Sequence, residues 1–333
     1  MSEPILIDIS SKRIHFLKLT LLLLIQLMRT GGSQAQNTVQ PVQSSASSNS
    51  YFQSLIGWHG GLQVQANHRN DDAQSTIYER RYDVSIDGYI HKLRSAFGLR
   101  VSHEYRSHEG NSGRIKSQSW TPIEFTYSPK FKFKNGISLM PAAMIELTTQ
   151  YHNWYAHRFS DDDPIPYDYI HYLSVGFGGA IIFKDFYFSG NFNDLNRPNR
   201  SFYDEINASP APATYAFLMG RVFKINKLQL TPNITLYPYL NQIGLNAMYR
   251  GMYLGFTYAV RNIELRYNSI TKAGIAIGFE ILDSYRFSYS FDMDYGYQMG
   301  GSGRNPCSHE IAARLILFRD RSNRQFLSNL ALM

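Results

Sequence analysis

The chain has 333 residues, a formal charge of +7 and an unusually aromatic composition, with 24 Tyr and 21 Phe. No run of about 20 apolar residues is present, which excludes membrane-spanning helices. Basic residues interleaved with aromatics can mark a nucleic-acid surface, but we expect this chain to be exported and therefore expect no nucleic-acid partner.

Residues 1–35 have the three parts of a secretory signal peptide. Lys12, Arg13 and Lys18 supply the basic part, residues 19–28 are largely apolar, and Ser33-Gln34-Ala35 supplies a small-residue cleavage site. Residues 36–50 are rich in Ser and Gln without periodicity, which predicts a flexible polar leader.

From residue 51 to residue 318, apolar and polar residues alternate with the period of a β-strand. In residues 287–295 every odd position is Phe, Tyr or Met and every even position is Ser or Asp. Such a strand has one apolar and one polar face. The pattern predicts fourteen strands, at 58–68, 77–90, 95–106, 119–128, 137–151, 169–183, 186–192, 213–223, 228–237, 242–249, 252–260, 273–282, 285–295 and 308–318.

The links between these strands alternate in length. Short links fall at 91–94, 128–136, 184–185, 224–227, 250–251 and 283–284. Longer polar links fall between them at 69–76, 107–118, 152–168, 193–212, 261–272 and 296–307, whereas 238–241 is short where a long link is expected. Outer-membrane barrels have short periplasmic turns and long external loops. A soluble β-sandwich is the alternative, but its strands are shorter, commonly about five or six residues.

We therefore predict an all-β fold, a transmembrane antiparallel β-barrel of about fourteen strands in the outer membrane, spanning residues 51–318 and followed by a tail at 319–333. An even number of strands places both ends of the chain in the periplasm. The barrel's outer surface would contact outer-membrane lipid.

Candidate chemistry is sparse. Asp161, Asp162 and Asp163 lie near His152, His157 and His171 in the sequence. Consecutive residues on a loop point in different directions, so we expect a solvated acidic loop and no metal site. Neighbouring strand residues such as His103 and Glu104 face opposite sides and cannot act together. We expect no catalytic residues and no cofactor.

Basic residues are concentrated in the short links. We single out Lys130, Lys132, Lys134, Lys184, Lys224 and Lys227 as candidate docking residues, with Lys92, Arg94, Arg250 and Arg286 in the same group. Two interpretations stay open. The side chains extend to lipid headgroups from the ends of membrane strands, or they form a basic rim that docks a periplasmic partner.

Several short strand motifs follow one another in residues 170–318. The segments are VGFGGA at 175–180, FYFSGNFNDL at 186–195, LQLTPNITL at 228–236, LNAMY at 245–249, MYLGFTY at 252–258, GIAIGFEI at 274–281, YRFSYSFD at 285–292 and SHEI at 308–311. In their order and spacing they resemble the PorP/SprF family of type IX secretion system membrane proteins from Bacteroidetes. The resemblance implies a non-enzymatic component that works with the type IX translocon and periplasmic ring proteins. It also implies export or surface anchoring of cargo such as adhesins, and a link to gliding motility.

The alternative function is a FadL-like outer-membrane transporter of small apolar ligands. Such a transporter would need apolar residues on its inward face near an N-terminal plug. The polar leader at 36–50 does not supply them.

Overall fold

The computed structural model describes residues 56, 62–73, 77–90, 92–109, 115–153, 168–202, 210–238, 240–261, 270–281, 285–295 and 307–317. The expected signal peptide, leader and tail lie outside them. The strands are β1 (Leu62–Ala73), β2 (Ile77–Ile90), β3 (Ser95–Glu109), β4 (Ile115–Pro129), β5 (Phe131–Lys132), β6 (Ile137–His152), β7 (Tyr169–Phe183), β8 (Phe186–Asn193), β9 (Thr214–Arg221), β10 (Phe223–Ile225), β11 (Leu228–Leu236), β12 (Leu240–Tyr249), β13 (Met252–Arg261), β14 (Ile270–Ile281), β15 (Tyr285–Tyr295) and β16 (Cys307–Leu317). Within the described ranges, no helix is long and apolar enough to cross a membrane.

The strands form one closed antiparallel sheet. Neighbours in the chain are neighbours in the sheet, except that β4 pairs with β6 and β9 with β11 across the two short strands. The first strand also pairs with the last, from Leu62 with Leu317 to Asp72 with Cys307. Fourteen strands make the ring, and β5 and β10 are short additions at its end. The predicted fourteen-stranded barrel is confirmed.

The alternation in the sequence decides which side chains enter the barrel. In β16, Ile311 is 59% exposed on the outer surface, whereas Glu310 and Arg314 are buried on the lumen side. The same division holds in β3, with Leu99 outside and Arg100 inside. The apolar outer face can contact lipid favourably. Closure of the sheet pairs the backbone N–H and C=O groups, which lipid cannot hydrogen-bond.

Polar contacts inside the barrel stabilise the junction between the first and last strands. Arg69 of β1 donates through Nη2 to Ser308 Oγ of β16 at 3.0 Å, and its Nη1 lies 3.7 Å from Asp292 Oδ2 of β15. Arg314 Nε also donates to Gln65 Oε1 at 3.3 Å. The two hydrogen-bonded pairs lie 239 and 249 positions apart in the chain, so their contacts form only when the ring closes.

The strand boundaries differ from the sequence prediction at one end of the barrel. Most of the expected loop at 69–76 belongs to β1, and most of that at 107–118 belongs to β3 and β4. Polar residues on both faces suggested loops there. The part of a strand that extends beyond the bilayer needs no apolar face, however, and its backbone hydrogen bonds to neighbouring strands continue in water. The weak point of the count, the short link at 238–241, is a short connection between β11 and β12.

Candidate functional site: the turn end and the lumen

The short links predicted from the sequence lie at one end of the barrel, which we call the turn end. They follow β2, β5, β7, β10, β12 and β14. The other end is called the loop end, and it carries the predicted longer links together with the short connections from β1 to β2 and from β11 to β12. The predicted basic residues in the short links therefore share one end of the molecule. Lys92 and Arg94, which follow β2, are both exposed there.

Two hairpins extend the sheet at the turn end. In turn hairpin 1 (131–139), Phe131 pairs with Leu139 and Lys132 with Ser138. In turn hairpin 2 (223–230), β10 pairs with β11 from Phe223 with Leu230 to Ile225 with Leu228. Among the described strands, β5 pairs only with β6 and β10 only with β11. Both hairpins therefore present a strand edge outside the closed ring.

These hairpins hold four of the six candidate docking residues. Lys132 and Lys134 lie on turn hairpin 1, and Lys224 and Lys227 on turn hairpin 2. All four are exposed, as is every residue of 131–136 and 223–227. Exposed apolar side chains accompany them, including Phe133 in the first hairpin. Exposed ammonium groups beside an open strand edge form a surface suited to an acidic partner.

Lys130 occupies a different environment from its neighbours. Its backbone N–H donates to the Arg94 carbonyl at 2.7 Å, and its ammonium lies 5.7 Å from the centre of the Tyr89 ring. Burial, with repulsion from Lys132 as a smaller cause, lowers the pKa of Lys130 to about 8. Lys130 therefore contributes less to the exposed charge than Lys132 and Lys134 do.

Lys184 and Arg250 lie in two-residue turns of the ring itself. Both have left-handed backbone angles, with φ of 52° and 49°. Asn or Gly is favoured at such positions. Each cation lies over a neighbouring ring, Lys184 over Phe183 at 5.1 Å and Arg250 over Tyr249 at 5.4 Å. Aromatic rings at a strand end are typical of the membrane interface, so these two residues fit the headgroup interpretation better than the docking one.

Arg286 was predicted to lie with the basic residues of the short links, and the structure places it elsewhere. It lies on the lumen side of β15, is buried, and forms an ion pair with Glu280 of β14. Arg286, Ser290 and Asp292 are all buried on this inward face of β15. Its charge is neutralised inside the barrel and does not belong to the rim.

The histidine and carboxylate candidates are not brought together. His152 faces the lumen, where its Nδ1 lies 2.5 Å from Gln118 Nε2, whereas His171 is exposed on the outer face and bonds Thr149. His103 and Glu104 face opposite sides, as predicted. His157 and residues 161–163 lie outside the described residues. The described part of the chain holds no group of His, Cys, Asp or Glu suited to a metal ion.

The lumen contains a buried ionic cluster that the sequence pattern did not predict. Arg100 of β3 donates through Nη2 to Asp83 Oδ1 at 2.7 Å, and its Nη1 lies 3.7 Å from Glu124 Oε2. Arg81 Nε lies 2.9 Å from the other Asp83 oxygen. Charged residues on the polar face of three successive predicted strands were the signal that could have revealed this cluster.

The lumen also has an apolar area near the turn end. Met140, Ile182, Tyr187 and Leu218, on β6 to β9, are all buried on the inward face. Register places Ile182 opposite Tyr187, and the Tyr187 ring lies over Gly220 of β9. A Cβ at Gly220 would lie 2.0 Å from Tyr187 Oη, so glycine is required for this packing.

Comparison with known proteins identifies the family. The family model "Type IX secretion system membrane protein PorP/SprF" matches residues 34–315. The chain belongs to this family. The match reaches well beyond the resemblance at residues 170–318 and includes the N-terminal half of the barrel. No curated protein matches the chain.

Solved structures similar to this PorP/SprF protein share its barrel architecture at very low sequence identity. The Pseudomonas putida toluene transporter TodX matches with a TM-score of 0.52 and 8% identity, over 83% of this chain and 94% of that one. The CymD monoaromatic hydrocarbon channel matches with a TM-score of 0.50 and 8% identity, over 80% of this chain and 90% of that one. At this identity the likeness concerns the fold alone. Family membership and fold together place the protein in the outer membrane.

Proposed function

We propose that this PorP/SprF protein is a non-enzymatic component of the type IX secretion system that assists the export or surface anchoring of cargo such as adhesins. The turn end faces the periplasm, as short turns do in bacterial outer-membrane barrels. Turn hairpins 1 and 2 dock an acidic surface of the translocon or of a periplasmic ring protein. The observation that carries the proposal is the family match over residues 34–315.

The two hairpins support the docking part of the proposal. Each offers exposed lysines together with a strand edge that the closed ring leaves available. Charges raise the rate and selectivity of association, and a strand edge adds backbone hydrogen bonds. A surface that only anchors to lipid does not need strands extending beyond the ring.

Neutralising hairpin charges is the experiment that tests docking. Replacing Lys132→Gln and Lys134→Gln together should leave the barrel folded but lower recovery of periplasmic partners in pull-downs from solubilised outer membranes by about tenfold. Wild-type recovery should fall toward the variant's as salt is raised, since the Debye length is about 8 Å at physiological ionic strength and shortens further with added salt. Mass spectrometry of the co-purified proteins provides the measurement.

The matched control removes two charges from the same end without touching a hairpin. Lys184→Asn and Arg250→Asn place a residue that tolerates left-handed angles at both tight turns, so folding should be preserved or slightly improved. Partner recovery should stay near wild type. Equal losses in both variants would point to nonspecific charge, and no loss in either would exclude docking through these lysines.

A second candidate function is favoured by the apolar area of the lumen. Met140, Ile182, Tyr187 and Leu218 supply the inward apolar residues that a FadL-like transporter of small apolar ligands needs. Uptake of a hydrophobic probe such as toluene into proteoliposomes tests it. Replacing Ile182→Asn would lower uptake in a transporter and leave partner recovery unchanged in a secretion component.

A further inference from the structure

The connection that follows β8 begins with residues 194–202, which we call the strap. The chain turns at Asp194, whose left-handed backbone has φ of 57°. Leu195 N–H then donates to the Val175 carbonyl of β7 at 2.9 Å, and Val175 N–H donates to the side-chain oxygen of Asn196 at 3.0 Å. These two bonds continue the pairing of β7 beyond the end of β8.

The strap then crosses to the inner side of the barrel wall. The guanidinium of Arg200 lies 5.0 Å from the centre of the Tyr172 ring, on the lumen side of β7. The Phe202 ring lies 5.7 Å from the ring of His152, which is buried on the lumen side of β6. Because β6, β7 and β8 are consecutive in the sheet, the strap runs back from β8 across the inner face of β7 to β6.

A single carboxylate connects the strap to the wall. One oxygen of Asp194 accepts a hydrogen bond from Ser174 Oγ of β7 and another from Arg200 Nη2, each at 2.8 Å. Asp194 and Ser174 are both buried. Hydrogen bonds between charged groups are stronger than neutral ones. The ion pair of Arg200 with Asp194 therefore holds the middle of the strap over Tyr172.

The wall beneath the strap lies between its two contacts. Gln150 of β6 pairs with Ile170 of β7, and both are buried on the lumen side. This pair is one step along the strands from Tyr172 on one side and from His152 on the other. A strap that reaches both Tyr172 and His152 therefore passes over Gln150.

We propose that the strap is a movable cover on the inner wall of β6 and β7 at the loop end, held in place by the ion pair of Arg200 with Asp194. When Arg200 leaves Asp194, the wall around Gln150 becomes accessible to molecules inside the lumen. The inference concerns access to the lumen wall, and it does not depend on the proposed role in secretion.

Cross-linking tests the path of the strap. In a Cys307→Ser background, which removes the natural cysteine, His152→Cys and Phe202→Cys should be joined by a short bifunctional thiol reagent. The control pair, His171→Cys with Phe202→Cys, places one thiol on the outer face of β7. At least tenfold more cross-link is expected in the first pair, counting only protein with the heat-dependent gel shift of a folded barrel. Equal or no cross-linking in both pairs would overturn the proposal.

Thiol labelling tests the ion pair. In the same background, a maleimide should label Gln150→Cys at least threefold faster when Arg200→Gln is added. Asp194→Asn keeps a residue that tolerates the left-handed angle and should raise the rate by the same factor. The two changes remove one interaction, so combining them should raise the rate no further.

Two controls separate release of the strap from general loosening of the barrel. Arg197→Asn removes an exposed cation from the same strap, at a position with φ of 48°, and should leave the labelling rate of Gln150→Cys unchanged. Ser290→Cys, on the lumen side of β15, should be labelled at the same rate with and without Arg200→Gln. No increase at Gln150→Cys with Arg200→Gln, or an equal increase in either control, would overturn the proposal.

Discussion

Replacing Arg100 with Ala is expected to lower the free energy of unfolding of the barrel by about 3–5 kcal/mol, because it leaves buried carboxylates without their cation. Arg100 is 5% exposed and faces both Asp83 and Glu124. Arg81 remains beside Asp83, so most of the lost stability is expected to come from the unpaired Glu124. Urea unfolding in lipid vesicles, followed by tryptophan fluorescence, measures the change.

Two further variants separate charge from packing at this position. Arg100→Gln combined with Glu124→Gln removes a cation and an anion together and should recover a large part of the loss. Arg100→Lys keeps the charge but cannot reproduce the planar guanidinium contacts, and should fall between wild type and Ala. A loss below about 1 kcal/mol for Arg100→Ala, the size measured for solvent-exposed pairs, would mean that water screens the cluster.

Replacing Ile277 with Arg is expected to destabilise the barrel by about 2–4 kcal/mol, the cost of a charge near the bilayer midplane. Ile277 is 52% exposed on the outer face of β14, between Leu254 and Tyr289 of the adjacent strands. Ile281→Arg, at the turn end of the same strand, should cost at most about 1 kcal/mol near the interface. Unfolding in vesicles and the heat-dependent shift in gel mobility report the two effects.

The comparison along β14 tests the assignment of the outer face. Equal costs at both positions would contradict a membrane boundary near the end of this strand. Leu315 in β16 is a weaker choice for the same purpose. It pairs with Tyr285, the first residue of β15, and an Arg there could extend to the headgroups.

The sequence predicted the ring of strands because lipid outside and water inside impose a strict alternation. That alternation identified fourteen strands, and β7 and β15 carry exactly the predicted bounds. It failed at the loop end of β1 and β3, where both faces meet water and no pattern remains. It also could not show that β5 and β10 extend beyond the ring, since this depends on which neighbouring strands stop first.

The candidate site was only partly predictable for a similar reason. Charge in the short links located the turn end, but sequence alone did not distinguish the exposed Lys132 from Lys130 beside Tyr89 or from Arg286 inside the barrel. The contact of Ile56 with Gly98 joins two residues more than 40 positions apart and leaves no periodic signal.

The measurement that tests the secretion role most directly is a quantitative comparison of cell-surface proteins with and without this protein. Deleting its gene should remove one or a few cargo proteins from the surface and leave them in the periplasm. Restoring the wild-type gene should return them, while the Lys132→Gln/Lys134→Gln variant should restore them only in part. A surface proteome unchanged by the deletion would contradict the proposed role in type IX secretion.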